Sequence, residues 1–314
     1  MKRLKEILYG FLFGISCLIP GFSGGTMLLI LGIYESFTGS IAKISKKPFE
    51  AIKELYLYGI GAVVGVVLAI FTVVVCLNKF PLITASFFVG LVIATLPMVL
   101  RNIKGEKMKT GDLISYLIFF AIALVMAFGD LIGLDVINIS KPNVGMIIYL
   151  FVLSTIAAAT MIVPAASGMT ILLVAGLYDP IMKVLNDVFM GLLAFDFSPL
   201  VNNLWILIPF TLGVIVGIIG IAKIISKLLK TKASLVWYAI LALLVTSPIT
   251  IYRDAWNKRV VPMMDVFKEH LVLNIILSVV FFAIGFILLT WLDKYQAKKV
   301  VDTRKKEEKI QNVA

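Results

Sequence analysis

The chain has 314 residues, of which 61% are hydrophobic and only 15% charged, and its mean hydropathy is +1.04. A soluble domain cannot bury so large an apolar fraction, so the composition predicts an all-α polytopic membrane protein. The net charge of +11 does not indicate a nucleic-acid partner. The basic residues form short clusters between apolar runs, where the positive-inside rule places them in a membrane protein.

The first apolar segment, residues 4–34, is too long for one membrane crossing and contains Pro20 near its middle. Proline interrupts a helix because it lacks a backbone N–H and clashes with the preceding turn. Each of the two arms, about 15 residues long, would reach ~22 Å, which is short of the ~30 Å hydrocarbon core. The segment is therefore predicted to be either one long broken crossing or a re-entrant hairpin.

Six later runs are apolar and long enough to cross a bilayer, and a second segment, broken at Pro164, lies between the third and fourth of them. The crossings are predicted at 57–77, 82–100, 112–132, 203–222, 233–251 and 271–292, and the second broken segment at 146–178. The chain then divides into a first unit (1–140), a second unit (141–292) and a charged cytoplasmic tail (293–314).

Each broken segment carries one copy of a motif. The sequence PGFSGGTMLLILGIYE (20–35) aligns without gaps with PAASGMTILLVAGLYD (164–179). Chance similarity between apolar helices could produce the shared leucines, but not the other identities in register, so the chain contains an internal repeat. The identical pairs are Pro20/Pro164, Ser23/Ser167, Gly24/Gly168, Thr26/Thr170, Leu28/Leu172, Leu29/Leu173, Gly32/Gly176 and Tyr34/Tyr178.

Weaker similarities extend this repeat along both units. Residues 61–65 and 213–217 each begin and end with glycine, a spacing that predicts close helix packing. The sequences Thr-Leu-Pro (95–97) and Thr-Ser-Pro (246–248) also correspond. Within the motif we expect the paired glycines to be packing positions and the paired tyrosines to anchor the arms at the membrane interface. The acidic residues that follow them are expected at the water boundary. These pairs are Gly32 with Gly176, Tyr34 with Tyr178, and Glu35 with Asp179.

Basic residues distinguish between the two topologies. If both broken segments are hairpins, 22 Lys and Arg residues lie on the cytoplasmic side and 7 outside. If both cross the membrane, the division is 16 to 13. The positive-inside rule therefore favours two inverted-topology repeats, each a re-entrant helix hairpin followed by three transmembrane helices, with both termini in the cytoplasm. The hairpins then enter from opposite faces, and their tips can meet near the middle of the membrane.

The tips have the chemistry of an anion site. A helix that starts inside the membrane presents unpaired N–H groups and the positive end of its dipole. Ser23 and Ser167 are predicted N-caps, the glycines allow a sharp turn and close approach of a ligand, and the threonines add hydroxyls. Two such starts facing each other would bind an anion. The predicted binding residues are Pro20, Gly21, Ser23, Gly24, Gly25, Thr26, Pro164, Ser167, Gly168 and Thr170.

Charged side chains are missing from the interior of the apolar segments and from both tips. This argues against a proton relay made of side chains, and it argues against hydrolysis, because no base stands beside a nucleophile. Neither a metal site nor a cofactor is predicted, and the protein is not expected to be an enzyme. A helix terminus without a cation contributes only ~0.3–2 kcal/mol to anion binding, which suits passage better than capture.

The sequences IPGFSGGTMLLILGIY and VPAASGMTILLVAGLY, with the two-fold layout, resemble the bacterial family first catalogued as domain of unknown function 368. The resemblance covers residues 4 to about 292. The second motif departs from the family pattern at Ala165 and Met169, where glycine is common, so its tip is expected to be less open. Members are described as polyprenyl-phosphate transporters that move undecaprenyl phosphate for reuse in cell-wall synthesis. The resemblance implies a multi-pass protein of the bacterial cytoplasmic membrane whose partners are this lipid and membrane lipids.

Three hypotheses follow, and the first is a flippase for undecaprenyl phosphate whose head group lies between the two tips. The second is an enzyme similar to undecaprenyl-pyrophosphate phosphatases, which also have inverted hairpins but carry arginine and acidic residues beside the serines. Here Phe22, Gly25, Ala166 and Met169 occupy that neighbourhood. The third is a transporter for a small soluble anion. The sequence leaves the driving force, the direction and the oligomeric state open.

Overall fold

The structure, a computed structural model, is helical throughout the residues that it describes. These residues are 2–17, 23–103, 108–128, 143–164, 168, 171–172, 175–260, 264, 268 and 270–311, with side chains excluded at 2, 70, 71, 74, 258, 259 and 295–311. Pro20, Gly21, Ser167 and Thr170 of the predicted site lie outside them, as does the predicted boundary between the units near residue 140.

Thirteen helices and one π-helical turn, Trp256–Val260, follow along the described chain. The helices are α1 (Lys2–Ser16), α2 (Gly24–Ile30), α3 (Tyr34–Lys43), α4 (Pro48–Phe71), α5 (Val73–Lys79), α6 (Pro81–Ile103), α7 (Thr110–Phe128), α8 (Val144–Ile162), α9 (Tyr178–Leu193), α10 (Ser198–Asn202), α11 (Leu204–Thr231), α12 (Ala233–Ala255) and α13 (Leu271–Gln311).

Seven helices are long and apolar enough to cross a membrane, namely α4, α6, α7, α8, α11, α12 and the first part of α13. Six of them lie on the six predicted crossings. The first begins earlier than predicted, at Pro48, and the predicted run 57–77 is divided between α4 and α5 at Thr72. The seventh, α8, is the first arm of the second broken segment. Its 19 residues reach ~28 Å, more than the arm length on which the hairpin prediction was based.

The close helix packing predicted for the glycine spacings at 61–65 and 213–217 is confirmed. A Cβ on Gly61 of α4 would lie 2.0 Å from the carbonyl oxygen of Ile7, in α1. In the second unit, a Cβ on Gly217 of α11 would lie 2.2 Å from the carbonyl oxygen of Thr155, in α8. The pairs α1–α4 and α8–α11 are thus both in backbone contact, which only glycine permits at such distances.

The centre of the molecule is formed by α6 and α12, which are the most buried of the seven crossings. Both carry the paired Thr and Pro residues inside the helix. Thr95 and Thr246 are buried, and each hydroxyl donates back to a carbonyl of the preceding turn. This bond satisfies a hydroxyl that no water can reach. Around this pair, α13 packs on α6 and α7 packs on α12, so each unit covers the central helix of the other.

Polar contacts join helix ends at one end of the bundle. Arg101, at the end of α6, forms an ion pair with Asp293 of α13. Ser234, at the start of α12, donates a hydrogen bond of 2.7 Å to the carboxylate of Asp112, at the start of α7. Four helix ends therefore lie together at this end of the described bundle.

A second set of contacts joins the opposite ends of the same helices. The hydroxyls of Ser86, near the start of α6, and Tyr252, near the end of α12, are 2.9 Å apart. Arg253 lies 4.6 Å above the ring of Phe128, the last residue of α7, within the range of a cation–π contact. The two sets of contacts define the two faces of the bundle without assigning either to the cytoplasm.

Candidate functional site

The first motif starts a short buried helix, α2, in the way that the sequence predicts. Ser23 is the N-cap residue, with an extended backbone (φ −91°, ψ 160°) and a side chain that accepts a hydrogen bond from the N–H of Thr26. The two hydroxyls of Ser23 and Thr26 are 3.3 Å apart. Ser23, Gly24, Gly25 and Thr26 are all buried. The cap prediction is therefore confirmed for Ser23, and the polar groups of this motif lie inside the protein.

The first motif contacts the residues that lead into the second. The Ser23 hydroxyl donates a hydrogen bond of 2.9 Å to the carbonyl oxygen of Val163, the residue before Pro164. A Cβ on Gly25 would lie 2.2 Å from the carbonyl oxygen of Ile162 and 2.8 Å from the nitrogen of Pro164. Any side chain larger than hydrogen at residue 25 would force this contact apart. The two motif segments, 144 residues apart along the chain, thus form one closed junction.

The expected arrangement is two helix starts that face each other, and the start of the second motif's helix lies outside the described residues. In the described part of the chain, the start of α2 meets the C-terminal end of α8. The last carbonyls of a helix lack partners within it and carry the negative end of its dipole. They therefore complement the N-cap hydroxyl and the N-terminal turn of α2. Of the second motif, Pro164 and Gly168 are buried, and Gly168 packs against the carbonyl oxygen of Ala157.

Gly32 is exposed, so its predicted role as a packing position is wrong, whereas Gly176 is buried. Gly32 and Gly176 both have φ 68°, in the left-handed region that disfavours a side chain. Gly32 follows the end of α2, where the N–H of Ile33 donates to the carbonyl of Leu28 at 3.0 Å. The N–H of Leu177 makes the equivalent bond to Leu172 at 2.9 Å. Both glycines therefore terminate a helix by the same capping motif.

The predicted interfacial role of Tyr34 is also wrong. Its side chain is only 3% exposed and belongs to the hydrophobic core. Its hydroxyl is buried and has no hydrogen-bond partner among the described residues. Glu35 and Asp179, expected at the water boundary, are both exposed.

Two neighbouring hollows lie beside α2 and α3, and the sequence analysis did not identify them. We call the smaller one the chamber. It has a volume of about 370 Å³ and is lined by Leu29, Gly32, Tyr34, Glu35, Met98, Val99, Arg101, Asn102 and Trp237. The larger one, which we call the lysine groove, has a volume of about 1310 Å³ and shares Gly32 and Glu35 with the chamber. One signal in the sequence could have indicated the lysine groove. Lys223, Lys227 and Lys230 are spaced so that all three lie on one helix face.

The chain belongs to the undecaprenyl phosphate translocase-like family, whose profile matches residues 13–271. This match covers the motifs, the junction and all seven crossing helices except most of α13. It confirms the family that the two motifs indicate. It also defines the class to which the chain belongs, a multi-pass membrane protein of a transporter family.

Two curated relatives support this assignment. A polyprenyl-phosphate transporter of Vibrio cholerae is 29% identical over 246 residues, which cover 73% of this chain and 71% of the relative. A polyprenyl-phosphate transporter of Staphylococcus aureus is 29% identical over 314 residues, covering 95% of this chain and 99% of the relative. No solved structure matches the chain.

Proposed function

We propose that this protein is a flippase that carries undecaprenyl phosphate across the cytoplasmic membrane, with the phosphate head passing between the two motifs. The observation that carries the proposal is the hydrogen bond from Ser23 to Val163, which joins the two motif segments at a buried point. A phosphate group needs hydrogen-bond donors inside the membrane, and the motif offers them there. The isoprenoid tail can remain in lipid while the head moves.

Two re-entrant hairpins in inverted repeats are part of this proposal. Helix ends that touch must lie on the same side of the membrane. Arg101 contacts Asp293, and Ser86 contacts Tyr252. Hairpins put each pair on one side, whereas two crossing segments would put the partners on opposite sides. The positive-inside rule then assigns the end with Arg101 and Asp293 to the cytoplasm.

The closed junction represents an occluded state in this mechanism. The Ser23 hydroxyl is engaged in its hydrogen bond to the Val163 carbonyl, and Ile162 packs on Gly25. When the junction separates, the hydroxyls of Ser23 and Thr26 and the N–H groups at the start of α2 become available to phosphate oxygens. The remaining contacts of the proposed site come from Pro20, Gly21, Gly24, Pro164, Ser167, Gly168 and Thr170.

The absence of cations at the junction gives the site a low affinity. Among the described residues of the junction, the head group would meet hydroxyls and amides alone. Neutral donors hold an anion less strongly than charged donors. The head would therefore leave as readily as it enters, which a flippase requires. No acidic or basic side chain stands beside the hydroxyls among the described junction residues, and we propose that the protein is not an enzyme.

The test is flipping of a fluorescent polyprenyl phosphate in proteoliposomes, followed by quenching of the outer leaflet. We expect Ser23→Ala combined with Thr170→Val to abolish flipping, because both motifs lose a hydroxyl. Thr231→Val is the matched control, since Thr231 is exposed, lines neither hollow and bonds only within its own turn. Wild-type flipping rates in the double variant would contradict the site. Phosphate release from undecaprenyl pyrophosphate by the wild type would instead favour an enzyme.

A further inference from the structure

The lysine groove lies between α3 and the second half of α11, and it concentrates positive charge. Its lining contains six lysines and two glutamates, a net charge of +4. On α11 the lysines are four and three residues apart, which puts them on one helical stripe. The opposing wall is the end of α3 and the turn that follows. The lysines are Lys43, Lys46, Lys47, Lys223, Lys227 and Lys230.

The protein itself neutralises only part of this charge. Lys43 pairs with Glu54 at 2.7 Å, and Lys47 pairs with Glu50 at 2.9 Å. The other four lysines of the groove make no ion pair with a described acidic side chain. Like charges one helical turn apart repel each other. Membrane orientation requires lysines on one side, but it does not require them to converge on one hollow.

The groove lysines come from both units, and their counterparts in the repeat are not basic. At the offset of the motif alignment, Lys43, Lys46 and Lys47 correspond to Asp187, Met190 and Gly191. In the alignment that pairs Gly61 with Gly213, Lys227 and Lys230 correspond to Val75 and Asn78. A feature needed for the fold of the repeat would appear in both units. The lysine groove therefore serves a purpose at one face of the bundle only.

The lysine groove lies next to the chamber, and the chamber reaches α2. Gly32 and Glu35 line both hollows, and the chamber extends to Leu29 of α2. Tyr34 lines the chamber, and its buried hydroxyl has no partner in the described part of the chain. A buried hydroxyl of this kind usually has a purpose in native proteins. A ligand that enters the groove is thus led toward the helix that begins at the junction.

We propose that the lysine groove is a binding site for the phosphate monoester head of the polyprenyl lipid, used where the lipid enters or leaves the protein on that face. This inference rests on the proposed function and adds a second, charged station to the uncharged junction. A phosphate monoester carries a charge of about −1.5 to −2 at pH 7, whereas the diester of a membrane phospholipid carries one negative charge. Several lysines in one hollow therefore favour the monoester.

The experiment measures the apparent Kd of purified protein for undecaprenyl phosphate in detergent by native mass spectrometry. Replacing Lys223, Lys227 and Lys230 with glutamine should raise the apparent Kd about tenfold, because three exposed charges near the ligand are lost. Replacing the same three with arginine should keep the wild-type Kd. The matched control replaces Lys53, Lys109 and Lys232 with glutamine, which are three exposed lysines outside the groove. We expect no change in that variant.

Flipping in proteoliposomes separates this inference from the proposed function. With saturating lipid, the glutamine variant of the groove should still flip, because the junction is intact. A wild type that flips, together with an unchanged Kd in this variant, would overturn the inference alone. A wild type that neither binds nor flips would overturn both.

Competitors identify the source of the phosphate group. Undecaprenyl phosphate bound to the wild type should resist an equal concentration of phosphatidylglycerol or of inorganic phosphate. Displacement by phosphatidylglycerol would make the groove a general surface for anionic lipids and overturn the inference. Displacement by inorganic phosphate would make it a site for a soluble anion, with the same consequence.

Discussion

Single residues of the motif have distinct tasks, which their identity alone suggests only in part. Ser23 was predicted to cap α2, and it does so. Its second task, the bond to Val163, depends on a partner 140 residues away. Gly32 and Tyr34 were misinterpreted because the sequence does not reveal backbone angles or the inward turn of a side chain. The repeat itself was visible, since both copies keep glycine where φ is positive.

Gly32→Ala should lower the free energy of unfolding by about 1 kcal/mol or more, because alanine is strained at φ 68°. Gly39→Ala is the control within α3, where an added Cβ meets nothing within 4 Å. That change should be neutral or stabilise the helix by up to about 1 kcal/mol. Thermal unfolding of both variants in detergent measures the difference. Equal midpoints would argue against a capping role for Gly32.

Whole helices pack against each other through glycine faces, and the sequence predicts these faces well. The spacing at 61–65 and 213–217 indicated the faces, and both are in backbone contact with α1 and α8. Helix ends were less predictable. Hydropathy alone could not place the start of α4 at Pro48, because a helix can extend beyond the apolar run into polar sequence. The arm before Pro164 was taken as too short, because α8 starts at Val144 and continues to Ile162.

Gly61→Ala should destabilise the α1–α4 pair, because the added Cβ would lie 2.0 Å from a backbone carbonyl oxygen. Overpacking of this kind costs about 1–3 kcal/mol. Gly59→Ala, in the same helix, is the control, since nothing lies within 4 Å of the added Cβ. Thermal unfolding measures both. A midpoint for Gly61→Ala as high as that of Gly59→Ala would show that the two helices are not in backbone contact.

The whole molecule is organised by contacts between the two units. Each unit covers the central helix of the other, and the motif segments meet at the junction. Lys43 and Lys227 lie in different units, yet both line the lysine groove. The charge count places them on the same side only if both broken segments are hairpins. Contact and charge thus support the same topology independently.

The topology can be tested by labelling single cysteines with a membrane-impermeant maleimide in intact and permeabilised cells, in a chain with Cys17 and Cys76 replaced. Ser45→Cys and Thr231→Cys should react only after permeabilisation, because both are assigned to the cytoplasmic face. Ser198→Cys should react in intact cells. Opposite behaviour of residues 45 and 231 would favour crossing segments over hairpins.

The amino-acid sequence by itself determined that the protein lies in a membrane and is all-helical, and it determined the repeat and the family. These properties follow from composition and from residues in register, which are local or periodic signals. Tertiary structure decided which partners meet. It paired the start of α2 with the end of α8, turned Tyr34 inward and brought six lysines to one groove. Such contacts join residues more than 100 positions apart, and only packing of the whole chain brings them together.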